Sequence, residues 1–186
     1  MKNSPDQTTY LALLRGINVG GNNIIKMADL KLAFEEMGFT DVKTYIQSGN
    51  VIFSSDRKNK AELTDEIEKK LSENFSYNSI IVLRTKEELE DQLASAPKDY
   101  GADNENYRYD VIFLKETITV EEAMKDITLR EGIDEVFIGN NILFFRRLFI
   151  NLTKSKLGKI VASPVYKHIT IRNWKTSTKL LEMMTF

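Results

Sequence analysis

The stretch Tyr45-Ile46-Gln47-Ser48-Gly49-Asn50-Val51-Ile52-Phe53 decides the fold class. Two β-prone runs flank Ser-Gly-Asn, which is turn chemistry that closes a hairpin. Two strands that follow one another without a crossover must pair antiparallel. The sheet here is therefore antiparallel, and its remaining members lie on either side of this hairpin in the chain.

Upstream, Thr8-Thr9-Tyr10-Leu11-Ala12-Leu13-Leu14-Arg15 reads as a buried strand that Gly16 ends. A Gly/Asn loop runs from 16 to 23. Met27, Leu30, Phe34 and Met37 then recur at helical spacing until Gly38 stops the helix. The hairpin strands cover about 42–47 and 51–54. Downstream, Leu63, Ile67, Leu71 and Phe75 mark a second amphipathic helix, and 79–84 reads as a fourth strand. The order β-α-β-β-α-β is the ferredoxin-like arrangement, an α+β fold.

The rest of the chain echoes that order. A short acidic helix over 86–94 and a polar stretch over 95–106 lead to a strand at 109–114 and a helix at 120–126. Strands at 134–138 and 142–145 enclose Gly139-Asn140-Asn141, a second hairpin. A basic helix over 153–161, an extended segment over 166–172 and a terminal helix over 174–184 complete it. The reading is two ferredoxin-like halves, 1–85 and 86–186, plus a C-terminal helix. The echo lies in the order of elements, with no repeat of residues.

With 186 residues, 42% apolar and 28% charged, the composition is globular. The absence of Cys excludes disulfides, thiolate zinc sites and a Cys nucleophile, and one His excludes two-His metal motifs. The sequence predicts no metal site and no cofactor. The polar start, Met1-Lys2-Asn3-Ser4-Pro5-Asp6-Gln7, carries no apolar leader core, and no run is long enough to cross a membrane. The expected location is the cytoplasm. The net charge of −1 conceals a split: residues 84–140 carry −8 and residues 141–186 carry +8. An acidic middle folded against the basic end would neutralise most of it, leaving particular Arg and Lys residues free to meet anions.

Three motifs could carry chemistry. The first is Arg15-Gly16-Ile17-Asn18-Val19-Gly20-Gly21-Asn22-Asn23, a strand-to-helix loop with Lys26 at its far end. Such loops can cradle anions. Asn22-Asn23 stand where a Walker loop needs Lys and Ser/Thr, so this is not one. The second is the hairpin itself, where Gln47, Ser48 and Asn50 offer hydrogen bonds. The third is Tyr166-Lys167-His168-Ile169-Thr170-Ile171-Arg172-Asn173-Trp174-Lys175-Thr176, with Lys179 beyond it. As a strand it places Tyr166, His168, Thr170 and Arg172 on one face. Asn173 is a natural helix N-cap. The candidate ligand-binding set is Arg15, Asn18, Lys26, Gln47, Ser48, Asn50, Arg172, Asn173 and Lys179, with His168 as the one candidate acid–base group. These are mostly donors, suited to phosphates and carboxylates and poor as general bases.

These motifs are similar to those of a mostly bacterial family known as domain of unknown function 1697. The resemblance rests on residues 10–21, Met27-Ala28-Asp29-Leu30, the hairpin, and Arg172-Asn173-Trp174-Lys175-Thr176 with Lys179-Leu180. It implies two ferredoxin-like halves and no particular activity. The family's polar motif positions fall here on Arg15, Asn18, Gln47, Ser48, Asn50, Arg172, Asn173, Thr176 and Lys179. Ser177 departs from the pattern, where an apolar residue is expected.

The leading expectation is a binding protein for a nucleotide, a nucleic acid or another anionic small molecule, held in a cleft shared by Arg15, Gln47 and Arg172. A second is a small-molecule enzyme acting on an acylated or phosphorylated metabolite, with His168 as acid–base group and Arg15 and Arg172 as the anion clamp. A third is a protein-interaction module whose Gly loop is purely structural.

Overall fold

The computed structural model describes residues 7–185. The polar segment 1–6, read above as carrying no leader, lies outside the described residues. The elements run β1 (Thr8–Leu14), α1 (Met27–Glu36), β2 (Thr40–Tyr45), β3 (Asn50–Ser55), α2 (Lys60–Phe75), β4 (Ile81–Thr85), α3 (Lys86–Ala94), β5 (Tyr107–Leu114), α4 (Val120–Asp126), β6 (Asp134–Gly139), β7 (Ile142–Leu148), β8 (Ile169–Asn173) and α5 (Trp174–Met183). The strands form two four-stranded antiparallel sheets, ordered β2-β3-β1-β4 and β6-β7-β5-β8. The fold is α+β with two repeated halves and a C-terminal helix, as the element order predicts. The chain divides into two compact units. One runs to Glu88 and resumes at Leu180; the other is Leu89–Lys179.

In the first unit, alternate residues of β1 (Tyr10, Ala12, Leu14), β3 (Val51, Phe53) and β4 (Ile81, Leu83) face α1 and α2. They meet Leu30, Phe34, Leu63, Ile67 and Leu71 in one core. Strand alternation and the helical i, i+4 spacing each deliver one wall of it. Asn59 starts α2 by accepting from the backbone N–H groups of Ala61 and Glu62.

In the second unit, Ile112, Leu114, Leu143, Phe145 and Ile169 meet Val120 and Ala123 of α4. Thr119 and Glu122 close a capping box at the start of α4. The basic helix expected over 153–161 is absent. Short 3-10 helices occupy Phe149–Lys154, Leu157–Ala162 and Pro164–His168 instead. Ser155 and Ser163 are extended between them, and Pro164 enforces the second break by disfavouring a helical residue before it. Strand β8 accordingly begins only at Ile169, and Tyr166 and His168 belong to the last 3-10 helix rather than to a strand face.

Residue-level equivalence emerges from the registers. Leu14 pairs with Ile81 as Leu114 pairs with Ile169, and Leu11 with Arg84 as Val111 with Arg172. Each arginine is buried and donates from Nη1 to the carbonyl of the preceding residue, Leu83 or Ile171, at 2.8 Å. Each is followed by a helix-capping residue. Thr85 accepts from Glu88 N–H before α3, and Asn173 from Thr176 N–H before α5. Helix α3 thus answers to α5, and the repeating unit is β-α-β-β-crossover-β-α.

Candidate functional site

The first two motifs build one corner of the first unit. Asn18 is left-handed, with φ 53°. Its Nδ2 donates to the carbonyls of Ile25 (3.0 Å) and Gln47 (2.9 Å), and its Oδ1 accepts from Ile25 N–H at 2.8 Å. Gly49 closes the joint. Its carbonyl accepts from Leu14 N–H, and a Cβ there would lie 2.8 Å from Leu14 Cβ and from Ile17 Cδ1, so only glycine fits. Asn50 is fully buried and donates to Tyr45 O and Ser48 Oγ. The amides of Asn18 and Asn50 therefore hold the corner together. Lys26 and Gln47 are exposed, and Arg15 and Ser48 half-buried.

The third motif belongs to β8 and the start of α5. Arg172 is 8% exposed, with Nη1 bonded to Thr170 Oγ1 and Ile171 O, and burial lowers its pKa to about 10. Ser177, where the family pattern favours an apolar residue, is fully buried and returns its hydroxyl to Asn173 O at 3.0 Å, four residues back. Lys179 is exposed. His168 sits with Nδ1 3.2 Å from Thr117 Oγ1. Among the described residues no group of three His, Asp or Glu side chains is placed to hold a metal ion.

Asn173 also leads into a cleft of about 270 Å³ within the second unit, lined by Asn104, Arg108, Tyr109, Asp110, Arg147, Asn173, Trp174 and Lys175. It lies where the first residues of β5, the last of β8 and the first turn of α5 meet. Register sets its charges. Arg108 is directly opposite Arg147 across β5–β7, and Asp110 is opposite Asn173 across β5–β8. Arg147 turns to Asp110, donating from Nε (2.9 Å) and Nη2 (2.6 Å) to the same oxygen, Oδ2. Burial nonetheless outweighs that guanidinium and raises the Asp110 pKa. Trp174 forms one wall, held edge-on by Tyr100 at 5.2 Å and Phe144 at 6.0 Å. Tyr100 is fixed in turn by donating to Asp110 O and Phe145 O.

Of the expected set, Asn173 alone lines this cleft. The sequence reading missed Arg108, Asp110 and Arg147. Their signal was an acid opening a continuous apolar run, Asp110-Val111-Ile112-Phe113-Leu114, and the doublet Arg146-Arg147 closing another. A larger cavity of about 320 Å³ lies beside the 3-10 segments, with Lys156 and Lys159 among its lining, but no motif residue reaches it. The charge split is partly answered inside the same unit, where Arg146 pairs with Glu135 and Arg147 with Asp110.

A duplicated α+β frame with a cationic cleft on one half defines the class. Residues 7–144 match the model of the family described as "Protein of unknown function (DUF1697)", and the chain belongs to that family. The match takes in the first two motifs and ends before the third. Among solved structures, the chain is similar to the conserved bacterial protein SP0830 of Streptococcus pneumoniae. The identity is 30% and the TM-score 0.83, covering 96% of this chain and 99% of that one. No curated protein matches. No helix among the described residues is long and apolar enough to cross a membrane.

Proposed function

We propose that this protein binds a phosphate-bearing ligand of the nucleotide class, free or as one unit of a single strand, in the cleft at the start of α5. The observation that carries the reading is Arg108 standing directly opposite Arg147. Like charges facing each other across a ladder destabilise a sheet. The frame does not require them. The same ladder position in the first half pairs Thr8 with Ser55, and register equivalence places Tyr10 where the second half has Asp110. Two arginines, Lys175 and one carboxylate leave the cleft net positive, and Asn104 and Asn173 add amide groups. Arginine and lysine at such a mouth suit phosphate oxygens. In the same reading Arg15, Lys26, Gln47 and Ser48 supply a second donor set on the first unit.

The chain has one Trp, at the wall of this cleft, so its fluorescence reports occupancy. Titration with AMP and with a short single-stranded oligonucleotide separates a free nucleotide from a polymer. Binding that weakens at least tenfold in the Arg108→Gln, Lys175→Gln double variant is expected. For the oligonucleotide, two phosphate contacts at roughly −0.7 each give a log–log salt slope near −1.4. Failure of both probes to bind at millimolar concentration refutes the reading.

A further inference from the structure

We infer that the ligand of this cleft is a single-stranded nucleic acid, with one base stacked on Phe149 and the strand running on toward Lys156 and Lys159. The inference rests on the nucleotide reading above and chooses the polymer over the free nucleotide. Phe149 follows Arg147 by two residues and is 43% exposed, although its ring is large and apolar. The Arg108 guanidinium lies over that ring, 4.7 Å from its centroid. A guanidinium stacked in this way keeps its N–H groups in its own plane, directed past the ring edge. Arg108 can therefore hold a phosphate while it flanks an aromatic surface. A cation beside an exposed ring is the pair that binding of single strands combines, one for the backbone and one for the base. A free mononucleotide has one base, for which the Trp174 wall suffices; Phe149 offers a place for a second.

The backbone fixes where the strand can go. Arg108, Arg147 and Asp134 share one rung of the sheet, across β5, β7 and β6. The segment 149–156 is pinned beside that rung at both ends. Phe149 N–H donates to Asn106 O at 2.7 Å, and Lys156 N–H donates to Asp134 Oδ2 at 2.8 Å. Lys156 and Lys159 line the cavity of about 320 Å³, and Phe145 lines it with them. Phe145 and Arg147 are two apart on β7, so they share a face of the sheet at a separation of about 7 Å. The cavity and the cleft that Arg147 lines are thus neighbours on one face. Lys159 stands close enough to Lys156 to lower its pKa. Like charges so crowded are relieved by an anion between them. From Arg108 and Lys175, past Phe149, to Lys156 and Lys159 the cations follow one path, which a phosphate backbone matches.

The test follows Trp174 fluorescence of the full chain with AMP, the dinucleotide pApA and the hexanucleotide of the same base. The dinucleotide should bind about tenfold more tightly than AMP, or better. Phe149→Leu should remove about fivefold of that gain or more, the low end of one base–aromatic stack, and Phe149→Tyr should retain it. The hexanucleotide should steepen the log–log salt slope beyond that of pApA by roughly 0.7 for each lysine it reaches. Lys156→Gln with Lys159→Gln should abolish that increment, and an unchanged slope overturns the path. A gain that survives Phe149→Leu in full overturns the stack. Equal affinity for AMP and pApA, within twofold, overturns the single strand while leaving nucleotide binding standing, and returns Phe149 to the role of a protein contact. No binding by any of the three overturns both. The length series on the unsubstituted chain decides the matter even if a variant fails to fold.

Discussion

Gly101→Ala tests how the cleft wall is held. Gly101 has φ +88°, and a Cβ there would fall inside the Trp174 indole, overlapping Cδ1 and Nε1, with Cγ at 3.2 Å. Neither group yields cheaply, because Trp174 is wedged against Tyr100 and Phe144. A left-handed Ala costs roughly 1–2 kcal/mol. Displacing the indole loses two aromatic contacts at about 0.5–1.5 kcal/mol each. The sum is about 2–5 kcal/mol. Gly132→Ala is the matched control, since Gly132 has φ +72° and open space where the Cβ would go. It should lose only the backbone share. The assay is urea unfolding of both variants, with the emission maximum of the lone Trp read before denaturant is added. Gly101→Ala should shift emission to the red and lower the midpoint beyond the control. Equal midpoints and unshifted emission would refute the packing argument and, with it, the claim that Trp174 is a fixed wall.

Arg147→Leu removes the partner of a carboxylate whose side chain is 12% exposed. Breaking such a pair costs about 3–5 kcal/mol at neutral pH. Asp110 already has a raised pKa, so the fold favours its neutral form; its contribution is complete below the ordinary carboxyl range and lost as pH rises through the raised value. The cost of the variant should therefore shrink at about pH 3, and a cost independent of pH in paired urea melts would contradict this. Asn18→Ala deletes three hydrogen bonds at the first-unit corner, at a cost of about 2 kcal/mol. Amide exchange at Ile25, whose N–H loses its acceptor, should accelerate; unchanged protection would show that the corner is held otherwise.

The fold was legible because its signals are local and agree with one another. Hairpin chemistry at Ser48-Gly49-Asn50 and Gly139-Asn140-Asn141 fixed the antiparallel pairs, and helical spacing fixed α1 and α2. The failure at 153–161 has the same logic in reverse. Leu157, Ile160 and Val161 recur at near-helical spacing, but extended residues at Ser155 and at Ser163, just before Pro164, break the backbone into separate 3-10 turns. Periodicity reported which residues are buried, Leu157 and Ile160, and not the turn type that buries them.

The site was less legible, because a sequence advertises motifs and not register. Arg172 drew notice as a cation beside a helix start. Its counterpart Arg84 occupies the same ladder position, makes the same bond to the preceding carbonyl and precedes the same kind of cap. A feature present in both halves of a duplicated frame is explained by the frame. Features present in one half are not, and those are the charges: Arg108 against Thr8, Asp110 against Tyr10, Arg147 against Ser55. The local signal, an acid or an arginine at the end of an apolar run, marks each as unusual for a strand but does not say which residues it meets. Only the pairing of β5 with β7 sets Arg108 opposite Arg147, and that pairing spans 37 residues or more of chain between the side chains it joins. The asymmetry between the halves therefore locates the cleft more sharply than any single motif, and it argues that substitutions at Arg84 and Arg172 will act on stability while those at Arg108 act on binding.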